Sequence, residues 1–230
     1  MARTGFFHHV GTFLLFAATV LLIITCISAP VIKDIAILKV DLGDKQSSDH
    51  STVTFGTFGY CVNEPGGGRD GCSRKKLGYS PADVMASADG TNYSDHAKST
   101  TKALTKALVL HPIACGMNFI AFLLALGAGV VGSLLASLVA LSAFIVTVVV
   151  MIIDFVLFSI IKSKVNSSDA SANAHFSTAA WTTLASAICA LLGTIVVFFT
   201  CCSSRLHSRH HSAKSSTGAY DAPPRRRRWF

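Results

Sequence analysis

Three stretches of the chain carry almost no charge, and their spacing sets the architecture. Val10 to Ala29 holds no Asp, Glu, Lys or Arg; Pro112 to Ile161 holds one, Asp154; Ala179 to Cys202 holds none. A helix that crosses a bilayer needs about 20 mostly apolar residues. The middle stretch is about twice that length and is broken at Gly127, Gly129, Gly132 and Ser133, so it divides into two helices joined by a turn. Four spans are predicted, at about 10–30, 111–130, 134–161 and 179–201. The first could be a cleaved signal peptide. Its apolar run is longer than such peptides use, and Ile27-Ser28-Ala29-Pro30 is a poor cleavage site, so a retained helix is expected.

The polar segment between spans one and two has its own periodicities. Ile35, Ile37, then Leu38, Val40 and Leu42 alternate as a strand does, and Val53, Phe55, then Phe58, Tyr60 and Val62 alternate with one slip, which predicts a strand with a bulge. From Asp95 the period changes. Lys98, Lys102 and Lys106 recur every fourth residue and Ala103, Leu104, Ala107 and Leu108 form another face, which predicts an amphipathic helix leading into span two. The fold class is therefore a mostly α membrane protein, a four-helix transmembrane bundle with a small β-sheet in the first long loop. Residues 1–201 form the membrane domain and 202–230 a basic tail expected to be unstructured.

Composition agrees with this reading. Of 230 residues, 51% are hydrophobic and 14% charged, against about 25% charged in soluble domains. Outside the long loop little remains from which a soluble core could form, so a catalytic domain of ordinary size does not fit and no enzyme is expected. Orientation is less direct. Lys33, Lys39, Lys102, Lys106, Lys162 and Lys164 flank the spans on the loop side against Arg3, Arg205, Arg209 and Lys214 on the terminal side, a count that leans towards loops inside, although charges in long loops count little. Other features decide. The sequons Asn92-Tyr93-Ser94 and Asn166-Ser167-Ser168 lie one in each of the two longer loops. Residues 202–230 hold seven Lys or Arg against one Asp, out of a total formal charge of +8. Such a tail is drawn to the anionic cytoplasmic leaflet. Both loops are placed outside and both termini in the cytoplasm, at the plasma membrane.

The stretch "TFGYCVNEPGGGRDGCSRKKLGYS", Thr57 to Ser80, then becomes readable. It lacks the second Cys or Cys/His pair that zinc requires and the Gly-Lys-Ser/Thr ending of a phosphate loop. In an oxidising compartment Cys61 and Cys72, which no other loop cysteine accompanies, are expected to pair, with Gly66-Gly67-Gly68 as a hairpin tip.

This architecture resembles the claudin superfamily, and particular words are similar to the fungal PalI family, sister to the eisosome-associated tetraspan proteins. They are "LLIITCISAPVIKDIAIL", "TFGTFGYC" followed by "GCSRKKLGY", and "LVLHPIACGMNFIAFLLAL", and the resemblance covers about residues 8–200. It implies a non-enzymatic plasma-membrane accessory or scaffold protein that assists assembly or localisation of a fungal ambient-pH signalling complex. The alternative is a structural tetraspan of ordered membrane domains, or an accessory subunit of a large membrane protein such as an ion pump.

Candidate sites follow from position. Small residues recur at Ala121, Ala125 and Gly129, at Ser133, Ala136, Ser137 and Ala140, and at Ser186, Ala190 and Thr194; they suit packing within one bundle or against another integral membrane protein or a second copy. Asp154 is the one acid inside a span and a functional candidate by default. No intramembrane Lys or Arg can pair with it, so a polar contact with a partner, a position near the outer interface of a long tilted span, or a cap on a neighbour is expected. His111, followed by Pro112, opens span two and is either a pH-sensitive interfacial group or a plain membrane-edge residue. Cys201 and Cys202 are palmitoylation candidates. Arg225, Arg226, Arg227 and Arg228 beside Trp229 and Phe230 suit anionic lipid on the inner leaflet. No metal, cofactor or nucleic acid is expected.

Overall fold

The structure, a computed structural model, describes residues 6–43, 51–63, 71–88, 90, 92–127, 130–168 and 172–216. The chain runs α1 (Phe6–Cys26), β1 (Leu38–Leu42), β2 (Ser51–Phe55), β3 (Tyr60–Asn63), β4 (Gly71–Cys72), α2 (Pro81–Ala88), α3 (Asp95–Ala107), α4 (Leu110–Leu126), α5 (Val130–Ser168), β5 (Asn173–Phe176) and α6 (Thr178–Ser216). Among the described residues, four helices are long and apolar enough to cross a membrane: α1, α4 with the α3 that leads into it, α5 and α6. They close into a ring in which α1 packs on α4 and α6, and α5 packs on the same two helices. Large apolar side chains such as Phe13, Leu138 and Phe199 are exposed on the outside of this ring, as lipid-facing residues are, while alanines line the inside: Ala18, Ala114, Ala121, Ala136, Ala140 and Ala190.

The spans differ in reach. At 1.5 Å per residue α4 is about 25 Å long and α5 about 58 Å. The surplus of α5 rises past the start of α4 as a pillar for the sheet. Leu157, Phe158, Ile161 and Val165 on that pillar share one core with Leu38, Val40, Val53 and Phe55 of the sheet and with Ala82 and Met85 of α2. This head sits on one end of the bundle.

The sheet has the order β4-β3-β2-β1-β5, antiparallel throughout. Directly opposed residues share a face. Leu38, Phe55, Tyr60 and Phe176 therefore face the core with Val40, Val53, Val62 and Ala174, while Lys39, Thr54, Cys61 and His175 face away from it. Cys61 and Cys72 are opposed on β3 and β4 and joined by a disulfide. The expected pairing is therefore present, on the polar outer face of the sheet.

Four expectations need correction. The slip between Phe55 and Phe58 is a hairpin connection and not a bulge: Gly56 N–H donates to Gly59 O at 2.9 Å, and Phe55 and Tyr60 are paired, so both face inward. The buried face of α3 is Thr101 and Thr105 followed by Leu108, with Ala103 exposed, because both hydroxyls find backbone carbonyls: Thr101 turns back onto Lys98 O and Thr105 reaches Tyr79 O. Span three does not end near Ile161 but continues to Ser168, since its upper turns are buried by the head rather than exposed to water. Helix α6 runs on to Ser216, through the first half of the expected tail, where no Gly or Pro interrupts it. The glycine triplet Gly66–Gly68 lies outside the described residues.

Candidate functional site

Helices α4 and α5 run antiparallel with matched heptads. His111 meets Asp154; seven residues down α4 and seven back along α5, Asn118 meets Thr147; one heptad further, Ala125 and Ala140 are buried in one cluster. Each step is a rise of about 10.5 Å. A period of seven is that of a shallow left-handed crossing, which keeps one stripe of each helix facing the other. The residues on that stripe are polar near the head and alanine further down.

His111 and Asp154 are 0% and 1% exposed, and Nε2 lies 3.1 Å from Oδ2. Nδ1 lies 3.1 Å from Leu108 O. A carbonyl only accepts, so Nδ1 carries a proton. Two arrangements then satisfy the Nε2–Oδ2 contact: an imidazolium facing a carboxylate, or a neutral imidazole accepting from a protonated Asp154. In both, one proton lies between the two groups and the pair has no net charge. This is how a carboxyl group can sit inside a span with no Lys or Arg beside it. Asp154 does not need a partner from another protein: it pairs with His111 of the neighbouring span, one turn below the head, and the helix continues about 21 Å beyond it into the head. One oxygen of Asp154, Oδ1, is buried without a hydrogen-bond partner, as is Asn118 Oδ1 one rung below.

The words that mark the head close over this pair. Phe55 stacks on Tyr79 with ring centroids 6.5 Å apart and tilts against Phe158, one turn above Asp154. Tyr79 O–H donates to Gly56 O at 2.7 Å, and Thr105 O–H donates to Tyr79 O at 2.6 Å. Burial pushes the Tyr79 phenol well above its usual range, and charge on Asp154 pushes the same way. Gly56 is glycine because the chain passes the end of α1 at contact distance: a Cβ there would overlap the Ala29 backbone, 2.6 Å from its N. Beside it, Thr57 donates to Thr25 O at 2.9 Å and pairs with Ser28, while Thr25 reaches Thr182 and Thr183 of α6. A belt of buried polar contacts thus ties α1, α6 and the β2–β3 turn together where bundle and head meet.

The other predicted residues are not brought to this site. Asn92 is exposed ahead of α3, and the Ser94 of its sequon caps that helix by accepting from Ala97 N–H. Asn166 is on the last turns of α5, and both ends of its amide are used: Oδ1 accepts from Ala174 N–H at 2.7 Å and Nδ2 donates to Ala174 O at 3.3 Å. It covers the outer edge of β5 as a further strand would. Cys201 and Cys202 lie in α6, and their side chains are outside the description; Arg225–Arg228 lie outside the described residues altogether.

Four apolar helices in a ring, bearing a disulfide-linked antiparallel sheet on one end, define a multi-pass membrane protein of claudin-like form. Within that class the chain belongs to the SUR7/PalI family, whose profile matches residues 7–193. Over 114 residues it is 35% identical to the pH-response regulator protein palI/prr-5 of Neurospora crassa, covering 49% of this chain and 14% of that protein. Over 152 residues it is 29% identical to the pH-response regulator protein palI/RIM9 of Pyricularia oryzae, covering 63% and 19%. Over 108 residues it is 32% identical to the membrane protein TOS7 of Saccharomyces cerevisiae, covering 47% and 16%. The chain thus spans less than a fifth of the length of each of these relatives.

Proposed function

We propose that this chain is a non-catalytic accessory protein of the plasma membrane that assists assembly or localisation of an ambient-pH signalling complex. The observation that carries the reading is the family match over residues 7–193, together with two relatives named as pH-response regulators. The buried pair supports an accessory rather than a catalytic role: at 0% and 1% exposure, neither His111 nor Asp154 can meet a substrate. The head faces outward and both termini face the cytoplasm in this reading, supported by a disulfide and two sequons on the head side and by the basic tail. A groove of about 590 Å³ on the outer face of the sheet, lined by Lys33, Asp34, Lys39, Thr52 and Thr54, is the surface offered to a partner's outer segment.

Deletion in the source fungus should impair growth at alkaline pH. A photo-crosslinker at Thr54 should capture a membrane protein that the same deletion mislocalises. Normal alkaline growth, with an abundant pump as the main species copurified in mild detergent, would replace this reading with that of a pump subunit. In the tail, Arg225–Arg228 hold the inner leaflet, at about 1 kcal/mol per basic residue near an anionic surface. A tail peptide should bind anionic vesicles with steep salt dependence; equal binding to neutral vesicles refutes it.

A further inference from the structure

The loop between β4 and α2 contains Arg74-Lys75-Lys76-Leu77, all four exposed. Two independent contacts fix its height. At one end, a Cβ on Gly59 would touch both the Ser73 hydroxyl and Pro30, and Tyr60 N–H donates to Ser73 Oγ at 3.1 Å. Pro30 comes four residues after α1 ends at Cys26. At the other end, Gly78 lies so close to the Lys106 stem that a Cβ there would stand 2.7 Å from Cγ, and Lys106 comes four residues before α4 begins at Leu110. The loop therefore bridges the points where two spans leave the membrane. Lys76 N–H donates to Phe58 O at 2.9 Å, which fixes the middle of the run to the same β2–β3 turn that rests on α1.

The chemistry of this rim is two-layered. Leu77 is 44% exposed, and Val31 and Ile32, on the turn that leaves α1, are 46% and 36% exposed. Arg74, Lys75 and Lys76 form no ion pair with any described residue. A solvated charged face would account for the three cations but not for three large apolar side chains exposed on the same rim at the membrane boundary. Apolar residues at the acyl boundary with cations at the level of the headgroups are the arrangement of a segment that lies in the interface.

We propose that Arg74-Lys75-Lys76-Leu77 is a membrane foot of the head: its cations bind phosphodiester headgroups of the leaflet on the sheet side, and Leu77, with Val31 and Ile32, enters the acyl boundary. The foot fixes how the sheet stands on the bilayer, and it does so whichever compartment the head faces.

The test uses the full chain in nanodiscs. Its two tryptophans, Trp181 and Trp229, are changed to Phe, and Leu77→Trp supplies the probe. Emission should be blue-shifted, quenched by chain-brominated lipid and protected from aqueous iodide. The quenching should persist in millimolar inorganic phosphate. The triple variant R74Q/K75Q/K76Q should lose the preference for anionic over neutral copurified lipid by about fivefold per cation removed. Red-shifted emission open to iodide overturns the proposal. So does a lipid preference unchanged in the triple variant, or competition by inorganic phosphate without quenching by brominated lipid, which would mark a soluble-anion site. If Leu77→Trp does not fold, Val31→Trp reads the same rim with the same two outcomes.

Discussion

The pair at the junction of bundle and head makes a quantitative claim about asymmetry. In Asp154→Leu the carboxyl group is replaced by an apolar side chain of similar size. His111 keeps its bond to Leu108 O, can stay neutral with Nδ1 protonated, and leaves only Nε2 unpaired. One buried unsatisfied neutral group costs about 1–3 kcal/mol. In His111→Phe the imidazole goes and Asp154 remains, with Oδ1 already unpartnered and Oδ2 newly so. A carboxyl stripped of its partner in a buried site costs about 3–5 kcal/mol. The double variant leaves neither group, and replacing a buried pair with apolar residues of similar volume is often neutral. The expected order is therefore double variant closest to wild type, then Asp154→Leu, then His111→Phe, with a coupling of at least about 2 kcal/mol. That exceeds the average of about 0.6 kcal/mol for polar contacts between spans, because Asp154 has no second hydrogen-bond partner among the described residues and His111 Nε2 has none once Oδ2 is lost. Free Cys26, Cys115 and Cys189, all half-buried, report unfolding with a thiol-reactive dye as detergent-solubilised protein is heated. Effects that add within about 0.5 kcal/mol would show that the two groups do not depend on each other and would refute the reasoning.

Three further outcomes test the junction and the head. Gly56→Ala should destabilise by about 2–3 kcal/mol, because its new Cβ meets fixed Ala29 backbone rather than a side chain that can move; melting within 1 °C of wild type would contradict the contact. Tyr79 has a folded-state pKa raised above its unfolded value of about 10, so its contribution is full below pH 10 and declines as pH rises beyond it; Tyr79→Phe should be less stable at neutral pH yet lose less on going above pH 10, and parallel stability profiles would exclude a buried phenol. Asn92→Gln should remove the glycosidase-sensitive mass while Asn166→Gln leaves it, because the Asn166 amide is engaged by Ala174, whereas Asn166→Ala should cost about 1–3 kcal/mol; a glycan on Asn166 would show that β5 does not need this cap.

What the sequence made legible, and what it hid, follows from the range of the interactions. The spans were visible because their cause is local: a run without charge excludes water at every position, whatever packs beside it. The disulfide was visible because two cysteines in one loop, once that loop is read as facing an oxidising compartment, have few alternatives. The hairpin was misread as a bulge because a four-residue connection between strands that both turn their aromatics inward leaves the same one-step slip in the pattern as an inserted residue. The pair was missed for a different reason. Lys and Arg, the cations that stay charged on their own, are absent from the apolar runs of the spans, while a histidine provides a partner without a net charge having to be buried. A signal for it did exist. His111, Asn118 and Ala125 are seven apart, as are Ala140, Thr147 and Asp154, and two helices joined by a short turn must run antiparallel, which opposes the first of one set to the last of the other. Reading the polar members of a span by heptad, and not only the small ones, joins them in advance. The cap at Asn166 could not be found in this way, since it depends on where a strand from another part of the chain ends. The same distance in sequence separates Arg74-Lys75-Lys76-Leu77 from the two helix ends that place it at the membrane: as sequence it is a charged loop with one leucine, and only the contacts through Gly59 and Gly78 give that leucine a depth.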